Sequence, residues 1–505
     1  MSRCLSATLL GVDGVPVEVE VRISSQLPRI DIVGLPAAAV RESAARVRSA
    51  IHAVGLPFPE RRVTVNLAPA ELRKTGTGLD LPIAIAILAQ SGAVESGELD
   101  GLALVGELAL DGRLRGVRGA LALALAIRDA GAARLVVPTE NGPEVALAPR
   151  LEGLVAGHLS EVVAHLLGVK ALGRAVAEPA RASPGAAPDL RDVRGQESAK
   201  RALEIAAAGG HALLLRGAPG AGKTMLARRL GGLLTPLEGD EALEVARIHG
   251  AAGVRREPGD GARPFRAPHH TASTAGLLGG GNPPRPGEVS LAHGGVLFLD
   301  ELPEFERRSL ESLRQVLEER RVVVARAGLT CVFPADFQLV AATNPCPCGW
   351  FGSGQRDCRC DEGAISRYAA RMSGPLLDRV DLYVDVRPVP WRDLDAGARG
   401  DGSEAIQARV RRARKRQRSR GVASNAHLQD AVLDARVAAT SEARELLGRA
   451  VDRLGLTARS ARRILKVART IADLAAQESV GPEAVAEALG YRSESSGSGR
   501  AAARD

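Results

Sequence analysis

The hydrophobic positions of this chain change period along its length. Up to about residue 170, β-branched runs such as Val15 to Ile23 and Arg62 to Asn66 alternate with alanine-rich stretches of helical spacing, Ala38 to Ala53 and Leu81 to Gln90. This pattern predicts an α/β domain over residues 1–172. Periodicity lapses between Gly173 and Asp189, where Ala, Pro and Ser accumulate as they do in an exposed linker. A second α/β unit is expected over 190–390. Its apolar strand Ala212 to Leu215 enters a glycine-rich turn and a helix, and further apolar runs follow at Val296 to Leu299 and Gln338 to Ala341. From Trp391 no strand pattern remains, and helical spacing runs through Ala405 to Arg420, Ser441 to Leu454, Ala458 to Ala475 and Pro482 to Leu489. The expectation is a helical lid over 391–492 and, over 493–505, a small polar tail that is disordered.

Composition narrows the setting. A chain of 505 residues suffices for two to four domains, and its longest apolar candidate, Leu81 to Ala89, is core-sized. A membrane helix needs roughly 18 to 20 unbroken apolar residues, so no membrane contact is expected. The start, MSRCLSATLLGVDGVPVEVEV, lacks the order of a signal peptide, which places the protein in the cytoplasm. A net charge of +8 favours a polyanionic partner; spread evenly, it would only aid solubility. Aromatic residues are 2% of the chain, so nucleic acid would be held by phosphate charge rather than by rows of stacked rings.

The second unit carries the chemistry. Gly217-Ala218-Pro219-Gly220-Ala221-Gly222-Lys223-Thr224 fits the phosphate-binding loop pattern, after the strand HALLL and before the helical TMLARRL. Glycines let backbone N–H groups close around phosphates, lysine neutralises the β- and γ-oxygens, and threonine ligates Mg²⁺. Lys223 is one of six lysines in an arginine-rich chain, so a compact ammonium is wanted there. The competing reading is a glycine-rich turn without a ligand. Gly295 to Leu299 is an apolar strand ending in Asp300 and Glu301. Asp300 would hold Mg²⁺ through water and Glu301 would polarise the attacking water; the alternative is a strand capped by solvated acids. Asn344, after the strand Leu339 to Ala342, would set its amide near the γ-phosphate as a sensor, although Asn-Pro also commonly just ends a strand.

Several blocks, SLAHGGVLFLDELPEF, AATNPCPCG, RPFRAPHHTAS and SARRILKVARTIADL, resemble the YifB/ComM family of magnesium-chelatase-like AAA+ ATPases. The resemblance extends from VRISSQLPRIDIVGLP to EALGYR. It implies a homo-hexameric ring with ATP between subunits. On that pattern Arg379 of GPLLDRVDL would reach the neighbour's γ-phosphate as an arginine finger; without the resemblance it is equally an ion-pair partner of Asp378 or Asp381. Arg459, in LTARSARRIL, matches the family's second sensor and would contact phosphate in its own subunit, with Arg462 and Arg463 competing for the role. The resemblance also implies single-stranded or branched DNA as substrate, helicase-like branch migration in recombination or natural transformation, and a recombinase as partner. The alternative is a metal-insertion ATPase like that of magnesium chelatase, which the N-terminal domain and the cysteine-rich insert disfavour.

Candidate DNA contacts are Arg263, Arg266, His269 and His270, with Arg326 beside an expected hairpin tip at Ala327-Gly328; the alternative is solvated loop charge. A second basic tract, Arg409 to Arg420, has eight cationic residues among twelve and divides between a DNA contact and a solvated face. Cys346, Cys348, Cys358 and Cys360 offer four thiolates, a set suited to structural Zn²⁺, within an insert over 346–360. Their one-residue spacing is less usual than two, which leaves reduced, unliganded cysteines as the other reading. The N-terminal block KTGTGLDLPIAIA, Lys74 to Ala86, resembles the ribosomal-S5-like and Lon-protease-like fold. A Lon-type serine would fall at Gly78, so a peptidase is the remote alternative.

Overall fold

In the computed structural model the described residues are 2–177, 188–254, 256, 261–326, 329–372, 374–390 and 400–492. The core of the expected linker, the tail and the expected hairpin tip Ala327-Gly328 lie outside the described residues.

The first unit is built on eight strands: β1 (Ser2–Leu10), β2 (Asp13–Ser24), β3 (Arg29–Val33), β4 (Arg62–Ala68), β5 (Leu102–Leu104), β6 (Arg134–Pro138), β7 (Glu152–Ala156) and β8 (Gly173–Arg174). They lie in the order β8-β7-β6-β5-β1-β2-β4-β3. Strand alternation supplies two cores. Leu102 and Leu104 enter one with helix Asp80–Gln90, while Ala103 enters the other with helix Ala120–Asp129. The first of these helices is buried from Asp80 to Ala89, which is why its sequence is apolar all round rather than striped. Its one charge is answered locally. Asp80 accepts from Arg46 Nε at 2.6 Å, from the backbone N–H of Leu108 at 3.2 Å and from the Ser43 hydroxyl. The last strand corrects the expected linker at its start, since Gly173 and Arg174 pair antiparallel with Val155 and Leu154. Backbone pairing at a sheet edge needs no apolar side chain, so this strand left no mark in the sequence.

The second unit is a five-stranded parallel sheet of β9 (Leu213–Arg216), β10 (Phe265–Arg266), β11 (Val296–Leu299), β14 (Gln338–Thr343) and β15 (Leu382–Asp385). Its order is β10-β11-β14-β9-β15, and β12 (Arg321–Arg326) and β13 (Leu329–Pro334) form a separate antiparallel hairpin. Every residue of β11 and β14 is buried, because helices or loops cover both faces of the sheet. In such a sheet the C-terminal ends of the strands gather the ligand-binding loops.

The C-terminal helices Ser403–Ser419, Ser441–Leu454, Ala458–Leu474 and Pro482–Gly490 follow the helical spacing of the sequence. They share one apolar core with β9 and with helix Glu197–Gly209. Beside that core lies a buried ionic knot. Asp473, with no exposure, accepts from Arg420 Nη1 at 2.8 Å and Asn425 Nδ2 at 2.8 Å, and pairs with the buried Arg469 at 3.1 Å. Removing one partner of such a knot strands the other charges in a dry setting. Asp473→Ala is therefore expected to lose about 3–5 kcal/mol in chemical denaturation, well beyond the effect of a surface substitution. Among the described residues no helix is long and apolar enough to cross a membrane.

Candidate active site

Residues 217–222 leave the C-terminal end of β9 and turn into helix Lys223–Leu233. Gly217 permits a close crossing, since a Cβ there would stand 2.3 Å from the Val386 carbonyl oxygen. Gly222 enters the helix at φ +97°, a left-handed conformation that other residues resist. Inside the turn, Lys223 Nζ donates to Gly217 O at 2.7 Å, Ala218 O at 3.0 Å and Asn344 Oδ1 at 2.9 Å. Burial lowers the pKa of this lysine, and the Asp300 and Glu301 carboxylates oppose that shift. An ammonium ringed by neutral oxygens at a cluster of loop N–H groups suits a polyphosphate.

The adjoining carboxylates come from β11. Thr224 Oγ1 donates to Asp300 Oδ2 at 2.6 Å, so the hydroxyl and the acid expected to serve Mg²⁺ touch. Both are hard oxygen donors, which that ion requires. Glu301 follows at φ 52°, a strained conformation for a residue with a side chain, and its carboxylate is half exposed. The strand end thus points Asp300 and Glu301 to different places. The structure brings together the loop, Lys223, Thr224, Asp300 and Asn344, with Glu301 at the rim. Gln196 belongs here too: its Nε2 donates to the Arg387 carbonyl beyond β15 and to Ala221 O at 3.5 Å, tying the loop to the sheet. A Gly-Gln pair before a helix was the only signal for it.

Arg379 and Arg459 lie elsewhere. Arg379 lies three residues before the start of β15, and the Asp381 and Leu382 N–H groups both donate to Ala212 O at 3.0 Å, at the start of β9. The four residues of β9 separate that end from the loop by roughly 13 Å of strand. There Glu318 accepts from Arg379 and, at 2.9 Å, from Arg459 Nη2. Arg320, Arg379, Arg414, Arg459 and Arg463 line the same cavity of about 330 Å³. The expected contact of Arg459 with phosphate in its own subunit is thereby corrected. Its helix is moored to the far end of the sheet, where Arg463 Nη1 donates to Asp381 Oδ1 at 2.6 Å and to Arg379 O at 2.8 Å. Arg462 instead pairs with Asp430 at 2.6 Å. Glu318 carries no sequence signal at all.

The expected DNA set is also corrected in part. Arg263 is tied to Glu241 Oε2 at 3.0 Å, Glu241 Oε1 at 2.6 Å and Thr235 O at 2.6 Å, and Arg266 to both oxygens of Glu288 at 2.7 Å. Bidentate pairs of this kind hold the segment together and leave little for a phosphate. His270 faces the active site, with Nδ1 3.4 Å from Glu301 Oε2. His269 and Arg326 stay exposed. Within the basic helix, Arg409, Arg414 and Arg420 bind Glu204, Ala207 O and Asp473, whereas Arg411, Arg412, Lys415 and Arg418 face solvent.

Cys346, Cys348, Cys358 and Cys360 converge, with all four sulfurs within 4.8 Å of one another. Sγ separations of 3.4, 3.7 and 3.6 Å among the first three approach the spacing of about 3.8 Å that a tetrahedron of bonds of about 2.3 Å imposes. In the N-terminal block, Lys74 Nζ is turned to Pro69 O, Thr75 Oγ1 donates to Leu9 O at 3.2 Å and Thr77 Oγ1 to Glu107. Neither threonine hydroxyl is hydrogen-bonded to the lysine.

Comparison with known proteins agrees with this geometry. The family described as magnesium chelatase, subunit ChlI, matches residues 189–394, its C-terminal part matches 400–492, and subunit ChlI of Mg-chelatase matches 19–141. The YifB protein of Salmonella typhimurium is 45% identical over 487 residues, covering 96% of this chain and 95% of its own. The competence protein ComM of Haemophilus influenzae is 44% identical over 495 residues, covering 96% of both. The chain belongs to the YifB/ComM family of magnesium-chelatase-like proteins. YifB/ComM proteins are of the AAA+ kind, which implies ATPase chemistry with ATP and Mg²⁺, and the donor set at Lys223, Thr224 and Asp300 fits both. The magnesium-chelatase 67 kDa subunit of Chlorobaculum parvum is 30% identical over 205 residues, covering 39% of this chain and 26% of its own.

Proposed function

We propose that this chain is a ring-forming ATPase, assembled from six copies, that uses ATP hydrolysis to move single-stranded or branched DNA. The observation that carries the ring is the division of the arginines from the loop. Lys223, Thr224, Asp300 and Asn344 stand at one end of the parallel sheet, and Arg379 with Arg459 at the other. A triphosphate held by one copy meets those arginines only where a second copy supplies them.

At the loop, Lys223 and the backbone N–H groups bind and orient the β- and γ-phosphates, and Thr224 with Asp300 would hold Mg²⁺, which when bound offsets phosphate charge. Asn344 fixes Lys223 by accepting from its Nζ. Glu301 takes a proton from water as the water oxygen bonds to the γ-phosphorus, and the bond from that phosphorus to the bridging oxygen breaks to release ADP.

Support for DNA comes from the net charge of +8, the four solvent-facing cations of the basic helix and end-to-end similarity to a competence protein. Magnesium-chelatase family models match 19–141, 189–394 and 400–492, so metal insertion stays the second reading, and the end-to-end relative named as a competence protein is what favours DNA. ATP turnover is expected to rise with single-stranded or forked DNA and to drive branch movement. A turnover rate indifferent to DNA, with no branch shifted, would sink this reading, and stimulation only by porphyrin with a partner subunit would favour chelation. The four cysteines are proposed to hold a structural zinc ion, for which the sulfur separations are the support.

A further inference from the structure

The cysteine turn touches the phosphate-binding loop. Cys346 lies two residues beyond Asn344, the residue that accepts from Lys223 Nζ at 2.9 Å. It is buried, while its three companions are half-buried. Gly349 N donates to Cys346 O at 3.0 Å and closes the turn at φ +82°. That closure presses Gly349 on Pro219, for a Cβ at position 349 would stand 2.5 Å from Pro219 Cδ and 2.6 Å from Cγ. The turn has no helix or strand of its own. It is held by sulfur instead, with Cys348 N donating to Cys360 Sγ at 3.4 Å and Phe351 N to Cys346 Sγ at 3.4 Å. Such N–H···S contacts orient ligating sulfurs around a metal.

We infer that the cysteine turn is a positioning wall for the nucleotide site, so that zinc at Cys346, Cys348, Cys358 and Cys360 sets the affinity for ATP by fixing Asn344 and Pro219. The inference rests on the zinc and nucleotide readings given above. Four thiols without a metal can separate, and the turn then regains backbone freedom that nucleotide binding must remove again. With the metal in place the cradle is formed in advance. This role differs from merely folding the insert, because it predicts an effect on nucleotide from a glycine that is neither a zinc ligand nor a phosphate contact.

Two glycines separate the cases. Gly349 and Gly352 both have left-handed φ, +82° and +69°, but a Cβ at Gly352 meets nothing within 4 Å. Full-length wild type, Gly349→Ala and Gly352→Ala would be assayed for zinc by mass spectrometry and titrated with a fluorescent ATP analogue. Gly349→Ala is expected to keep its zinc and raise Kd roughly tenfold, and Gly352→Ala to keep both zinc and affinity. Zinc-stripped wild type is expected to lose affinity to a similar extent and recover it on adding zinc. The inference is overturned if the two alanine variants bind alike, or if zinc-stripped protein with an unchanged circular dichroism spectrum binds as wild type does. Protein purified without zinc refutes the metal reading alone, and absence of nucleotide binding in wild type refutes the nucleotide reading.

Discussion

Glu301→Gln is expected to hold ATP and almost cease to hydrolyse it, with turnover down by about 10²–10⁴-fold and the nucleotide Kd little changed. Glu301 stands apart from the groups that grip phosphate. Asp300 accepts from Thr224, Asn344 accepts from Lys223, and Glu301, at φ 52°, keeps a half-exposed carboxylate 3.4 Å from His270 Nδ1. Glutamine keeps the size and the hydrogen-bonding reach of the side chain and removes only its capacity to take a proton. Lys223→Ala has a different consequence, because it deletes the ammonium that three oxygens and the loop are arranged around, and nucleotide binding itself is expected to fail. Filter binding and single-turnover hydrolysis distinguish the two variants. Normal turnover in Glu301→Gln would remove it from the proton-transfer role.

What the sequence disclosed depended on whether local rules decided the outcome. Spacing marked the loop at 217–224 and the carboxylates after β11 as candidates because each follows an apolar strand directly, whereas Asn344 before Pro345 carried only the weak signal of a strand end. The sulfur cluster was legible for a similar reason, since its four members fall within fifteen residues. The partners of Arg263, Arg266 and His270, namely Glu241, Glu288 and Glu301, were not legible because they lie 22, 22 and 31 positions away, where no local pattern couples them. Glu318 was missed on the same ground. It stands 61 residues from Arg379 and 141 from Arg459, and only the docking of the C-terminal helices joins the three. The C-terminal helices themselves were visible in their spacing; the end of the sheet on which they dock was not.

That docking leads to the second large effect. Arg379→Ala is expected to bind ATP normally and to lose turnover by about 10³–10⁵-fold, the range associated with an arginine finger. In one chain Arg379 has its side chain 4% exposed and is held by Glu318, which also holds Arg459, so neither guanidinium is directed at its own loop. A neighbouring copy that brings a triphosphate to this cavity offers a denser negative charge than the Glu318 carboxylate, and the arginines transfer to it. A mixing experiment tests the arrangement more sharply than either variant alone. Arg379→Ala copies retain a working loop and Glu301, while Glu301→Gln copies retain a working arginine. Two inactive proteins are therefore expected to regain activity when combined, because some interfaces pair the intact loop of one with the intact arginine of the other. Mixtures inactive at every ratio, despite verified co-assembly, would place Arg379 outside the reaction and leave it as the structural partner of Glu318.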